Sequence, residues 1–285
     1  MPDRRLQQPG PAAAERFESV VGTGRTFSFE LQPGLCLNDA IAIPLAAANL
    51  RAASLVIEGG AFAPFHYLMP ALSTDGLHAA WYSDTFAPAG ETMMERGNVT
   101  FGERDGAAFI HCHATWIEPD GRRCAGHILP HETIVSRPIR ATVWGVETIR
   151  MVSEPDAETA FTIFHPVPII DSTATGSDPR TIMARVRPNE DIIGALEAIC
   201  RKHGFAGAHL RGGVGSLIGA RYADGGRVED IATEVFITGG FVSADTSRTR
   251  IEITMVDTGG GITRGNLVRG DNPVCITFEL CLEEA

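Results

Sequence analysis

Lysine is almost missing from this sequence: of 24 basic residues only Lys202 is lysine, so any recognition of phosphate or carboxylate falls to arginine forks. Basic charge is short as a whole. Against those 24 stand 35 acidic residues, a formal charge of −11, and a surface of that sign repels phosphate backbones over a Debye length. Split at Arg150, the balance is 12 basic to 16 acidic and then 12 to 19, so neither half hides a basic domain. Direct nucleic-acid binding is disfavoured. No run approaches the roughly 18 consecutive apolar residues of a membrane span, and Met1 to Gly10 has no apolar leader core. A cytoplasmic protein with no membrane partner is expected. The cysteines (Cys36, Cys112, Cys124, Cys200, Cys275, Cys281) contain no CxxC pair, which excludes a disulfide framework and leaves reduced thiols, mostly in the core. Gly212–Gly215 and Gly259–Gly261 do not fit the dinucleotide or phosphate-loop patterns, and no GxSxG elbow is present.

What is present is an ordinary globular composition, 44% hydrophobic and 21% charged over 285 residues, enough for about two domains. Those domains are copies of one another. Leu31–Ile41 aligns with Val186–Leu196, placing Pro33 on Pro188 and Ala40 on Ala195. At the same offset Asn49-Leu50 falls on Gly204-Phe205, and the apolar run Ala53–Ile57 on Ala208–Gly212. Further on, Gly97-Asn98 lines up with Gly239-Gly240. The reading is a flexible tail (residues 1–17), domain 1 (18–152), a Pro-rich linker (153–179) and domain 2 (180–285).

Within domain 2, Asp191–Lys202 carries Ile192, Leu196 and Ile199 at helical spacing, with Asn189 as N-cap and Gly204 at the C-terminal end. Its counterpart near Asn38–Ala48 contains Pro44, which kinks or starts it. The remaining periodic segments, among them Thr26–Leu31, Ala53–Glu58, Ala107–Ile117, Arg137–Met151, Glu234–Val242 and Val274–Leu282, are short, β-branched and bounded by turns. The fold class is therefore α+β: each copy a curved, mostly antiparallel sheet covered by one helix.

Chemistry concentrates in domain 1. In Ile110-His111-Cys112-His113 the period of two puts both imidazoles on one face and Cys112 on the other. Asp120-Gly121 marks a hairpin. With a five-residue loop, Glu118–Arg122, Ile117 pairs with Arg123 and His113 stands opposite His127; a two-residue loop would turn His127 to the other face. Three converging imidazoles suit Zn²⁺ or a similar ion with an open fourth position, whereas without convergence they are two solvent-facing histidines and one near a turn. Copy two has Glu252, Thr254 and Asn266 at the matching places, so it is expected to be metal-free.

His111-x-His113, Asp120-Gly121, Gly126-His127-Ile128 and the preceding Gly97-Asn98 resemble the signature of the PPC (plant and prokaryote conserved) domain, a domain of unknown function. The resemblance covers Arg25–Met151 well and Arg180–Glu283 more weakly, where Gly265-Asn266-Leu267 keeps the outline without the histidine. It implies a curved antiparallel sheet, assembly as a homo-oligomer, and a histidine cluster near a subunit interface. Plant relatives add an AT-hook for the DNA minor groove, and bacterial relatives carry a DNA-binding label by association; this chain has no Arg-Gly-Arg-Pro element.

The expected function is a divalent-metal site, zinc by preference, at His111, His113 and His127, presenting a pocket for a small-molecule ligand to which Asn98 and His131 contribute, with copy two as scaffold. His66, His78, Trp81 and Tyr82 are candidate pocket wall, and Glu118 and Asp120 candidate bases. A metal-dependent lyase, hydratase or hydrolase is the alternative and requires a titratable group beside the metal. A transcription-related regulator acting through a partner protein is the third reading.

Overall fold

A computed structural model describes residues 4–169 and 179–285. The repeat alignment holds in three dimensions. Helix α1 (Leu37–Ala47) and helix α2 (Ile192–Lys202) open at the positions that the alignment superimposes. Each ends in a left-handed residue, Asn49 at φ 57° and Gly204 at φ 71°, followed by the buried anchor Leu50 or Phe205. Asp191, rather than the expected Asn189, caps α2: its side chain accepts from the Gly194 N–H. Asn189 instead has its own left-handed turn at φ 66° and holds Leu6 through two hydrogen bonds. Pro44 lies inside α1, where Leu37, Ile41 and Leu45 form one fully buried stripe, so packing overrides the lost backbone bond.

The protein is mostly β. Its described strands join in a large curled sheet of 17 strands with two small two-stranded ribbons beside it. Copy one runs Arg123–Ile128, Ala107–Ile117, Thr92–Arg104, Ala53–Glu58, Ile139–Val146 and then residues 24–31, each antiparallel to its neighbour. Copy two repeats that order with Ile262–Asn266, Arg250–Asp257, Thr233–Ser243, Gly207–Leu217, Val274–Glu284 and Arg180–Val186. The predicted segment 137–151 is broken at Pro138 and again at the turn before Ile149, giving separate strands Ile139–Val146 and Ile149–Pro155.

One strand belongs to both copies. Phe17–Leu31 pairs through residues 24–31 with Ile139–Val146 and through residues 17–23 with Arg180–Val186. A domain boundary at residue 18 would cut it. Residues 4–16 of the stretch read as a flexible tail are packed on the rest of the chain: Gln8 donates to the Cys275 carbonyl of copy two, and the guanidinium of Arg16 grips Glu158 of the stretch read as a linker. The stretch read as a linker begins as the end of strand Ile149–Pro155 and continues as strand Thr162–Pro168, paired with it. Pro166 and Pro168 are two residues apart, so their missing N–H groups fall on the same side of an edge strand, where no ladder is interrupted. Residues 170–178 of that stretch lie outside the described residues.

Each copy has its own apolar core beneath its helix. A third cluster, including Val146, Met151, Phe164, Met183 and Cys281, takes residues from both copies. Cys112, Cys200, Cys275 and Cys281 are buried thiols, as expected.

Candidate metal centre

The turn after Ile117 decides the site. Glu118 N–H donates to the Arg122 carbonyl and Gly121 N–H to the Glu118 carbonyl, with Gly121 at φ 87°. A five-residue loop results, Ile117 faces Arg123, and His113 stands directly opposite His127. The three imidazoles share one face: His111 Nε2 lies 2.9 Å from His113 Nε2, and His127 Nδ1 lies 3.3 Å from that same atom. One nitrogen from each ring falls within 4.8 Å of the other two. In a tetrahedral site with Zn–N near 2.05 Å, ligand nitrogens are about 3.3 Å apart.

Hydrogen bonding sets the tautomers. His113 Nδ1 is 2.9 Å from the Val235 carbonyl, which can only accept, so the hydrogen is on Nδ1 and the Nε2 lone pair points inward. His111 Nδ1 faces both oxygens of Glu279 at 3.1 and 3.0 Å, which directs its Nε2 lone pair inward too. Two lone pairs then meet across 2.9 Å, an arrangement that asks for a cation between them, whether proton or metal. Glu234 adds a carboxylate oxygen 2.6 Å from His113 Nε2. Burial disfavours the charged form of His113, but Glu234, the Val235 carbonyl and Glu279 together outweigh it and raise the pKa. Burial, with His111 and His113 alongside, pushes His127 well below the ordinary histidine range, so its ring is neutral and free to ligate. The residues fit a divalent ion: three imidazoles, two of them oriented by a carboxylate or a carbonyl, as outer-shell partners orient metal-bound histidines elsewhere.

Glu234 and Glu279 come from copy two, so that copy is more than scaffold. Neither has a local motif. The one cue for Glu279 is an acid flanked by apolar residues, Phe278 and Leu280, in the middle of strand Val274–Glu284, where it is 1% exposed. The cross-strand register also shifts the comparison between copies. Asn266 faces Glu252, so the counterparts of His113 and His111 are Glu252 and Arg250, two residues from the expected Thr254 and Glu252 but on the same face.

A cavity of about 370 Å³ opens over the histidines between the two copies. Trp81 and Tyr82 line it, as does the exposed His131. His66 and His78 do not: His66 hydrogen-bonds the Glu132 carbonyl, and His78 stacks behind Trp81 at 4.0 Å. Asn98 lies off the cavity as well. It sits beside His113 on the same face, but its amide donates to the carbonyls of Gly213 and Ile237 at 3.2 and 2.7 Å and so fastens one copy to the other. Glu118 is occupied by the Tyr67 hydroxyl at 2.7 Å and by Arg122, away from the cavity. Asp120 stays in the turn, where it accepts from Arg122 N–H.

Residues 173–285 match the family model of the Plants and Prokaryotes Conserved (PCC) domain. The match falls on copy two, the copy in which the sequence resemblance is weaker. Among solved structures, a plant- and prokaryote-conserved protein of Pyrococcus horikoshii aligns at 13% identity over 52% of this chain and 96% of that one, with a TM-score of 0.42. A metal-containing protein of Archaeoglobus fulgidus aligns at 17% identity over 53% and 99%, with a TM-score of 0.41. A hypothetical protein of Salmonella cholerae-suis aligns at 17% over 52% and 96%, with a TM-score of 0.39. No curated protein matches the chain.

Proposed function

We propose that this chain, which carries a Plants and Prokaryotes Conserved domain over residues 173–285, binds one divalent metal ion, zinc by preference, through His111, His113 and His127 and presents it to a small molecule in the cavity between its two copies. The convergence of three imidazole nitrogens within 4.8 Å, with Glu279 and the Val235 carbonyl turning two lone pairs inward, carries the reading. When bound, such an ion supplies a Lewis-acid position for a ligand oxygen. The protein's own part is to orient the rings and exclude water. Both walls of the cavity come from one chain; assembly into a homo-oligomer and a cytoplasmic location are further parts of the proposal.

Metal analysis of the purified chain tests it. One equivalent of zinc or a similar ion is expected per chain, falling below a tenth in His111→Ala and His127→Ala with the circular dichroism unchanged. A wild-type chain that takes up no metal after dialysis against zinc overturns the proposal.

A metal-dependent lyase, hydratase or hydrolase is the second reading, and Glu234 favours it. That carboxylate lies 2.6 Å from His113 Nε2 on the cavity wall, the titratable group such chemistry needs. Product analysis of ligands found to bind separates the two readings, since only an enzyme changes its ligand.

A further inference from the structure

The cavity has a second polar feature, at the end of the strand that precedes the histidines. Arg104 lines it, with its guanidinium carbon over the Phe109 ring, 3.7 Å from the centroid, and its Nε held by Ser153 at 3.0 Å. Among the described residues it has no carboxylate within ion-pair distance, although most arginines of this acidic chain do. Its Nη2 also faces the Thr162 carbonyl at 3.5 Å, so its position is fixed while no carboxylate pairs with it directly. Thr277, 5% exposed, lines the same cavity, and its Oγ1 is buried without a hydrogen-bond partner. An unsatisfied buried hydroxyl costs about 1–3 kcal/mol, which a ligand oxygen would recover once the Thr277 side chain rotates toward the cavity.

The rest of the wall is aromatic. Trp81 packs on Phe161 at 5.1 Å, and Tyr82 bridges from Phe161 at 6.1 Å to the His127 ring at 5.1 Å. A planar apolar body fits such a wall. Charge acts locally. With a divalent ion among the histidines, Glu234 and Glu279 beside them cancel it, and exposed Glu132 lies elsewhere on the lining, so Arg104 is the cation of the cavity that has no carboxylate at ion-pair distance among the described residues and is open to a ligand anion.

We propose that the ligand is a small aromatic carboxylate, with its ring between Trp81, Tyr82 and Phe161 and its carboxylate bound by Arg104 and Thr277. The inference rests on the metal reading above and names the ligand class for the same site. A planar carboxylate matches the two parallel N–H groups of one guanidinium. A phosphate dianion would need more donors than one arginine and one hydroxyl.

Isothermal titration of the full-length, zinc-loaded chain tests this, with benzoate, benzamide and phenyl phosphate as probes and zinc content measured in every sample. Benzoate is expected to bind one to one and at least tenfold more tightly than uncharged benzamide. Arg104→Gln should weaken benzoate at least tenfold with zinc content unchanged. Trp81 is 42% exposed, so Trp81→Ala should keep the fold and weaken benzoate several-fold, and it carries the test if Arg104→Gln unfolds. Equal binding of benzoate and benzamide, tighter binding of phenyl phosphate, or unchanged benzoate affinity in either folded variant overturns the ligand class. A chain that takes up no zinc overturns the metal reading and the inference with it, whereas one that holds zinc and ignores benzoate overturns the inference alone.

Discussion

At the scale of single residues, the site depends on groups that do not themselves reach the ion position. Glu279 holds His111 Nδ1 with both oxygens while 1% exposed. Replacing it by Gln removes the charge and lets an amide N–H face the ring, so the preferred tautomer of His111 is no longer imposed. Glu279→Gln is expected to weaken zinc binding about 10–100-fold, measured by competition with a chromogenic chelator, with little change in melting temperature. Loss of the fold instead would make Glu279 a structural acid. The imidazoles themselves were legible in the sequence because strand alternation and loop length are local rules, and the five-residue loop put His113 opposite His127. Glu234 and Glu279 were not, because each comes from a strand of the other copy and no spacing connects it to the histidines. The same limit explains Asn98, read as a contributor to the ligand pocket: the carbonyls of Gly213 and Ile237 that occupy its amide belong to the other copy.

At the scale of elements, the His127 strand is held between two neighbours. On one side is Ala107–Ile117; on the other is the short strand Tyr67–Leu68, which pairs with Ile128 and His127. Gly126 permits this second contact: a Cβ there would lie 2.5 Å from the Leu68 carbonyl oxygen, a backbone atom that cannot move aside alone. Gly126→Val should therefore displace Tyr67–Leu68 and cost about 1–3 kcal/mol in stability, read from denaturant midpoints, with faster amide exchange around Leu68. Unchanged exchange would mean that the strand does not depend on this approach. The helices show how far local pattern reaches. For α2, the apolar spacing and the Gly204 end were readable, yet Asp191 took the cap because Asn189 is committed to Leu6. For α1, Pro44 suggested a kink or a start, and the buried stripe of Leu37, Ile41 and Leu45 keeps the helix continuous through it.

At the scale of the whole molecule, the two copies are tied by the shared strand Phe17–Leu31, by the mixed core cluster and by a buried ion network. In that network Arg185 and Arg187 grip Glu18 and Asp156. We expect unfolding in a single cooperative transition by calorimetry, since neither copy can open without exposing the cluster common to both; two separated transitions would contradict this. Burial raises the pKa of Glu18 and Asp156, but the arginine hydrogen bonds outweigh it and hold both carboxyls below their ordinary range. The network's stabilisation is therefore complete above the unfolded carboxylate pKa, near 4, and is lost as pH falls through the lowered folded values. Glu18→Gln should cost about 1.5–3 kcal/mol near neutrality and flatten the fall in melting temperature below pH 5. An acid slope as steep as the wild type's would exclude this network as its source. The sequence by itself determined the duplication, the curved β architecture, the helix positions and the histidine face, because periodicity, turn chemistry and internal repetition act over a few residues or compare the chain with itself. Only the tertiary structure decided that residues 4–16 and 153–169, read as tail and linker, are built into the packed molecule, that one strand serves both sheets, and that copy two supplies the carboxylates facing the histidines. Those facts depend on which surfaces bury one another, and contacts between residues more than a hundred positions apart leave no spacing to read.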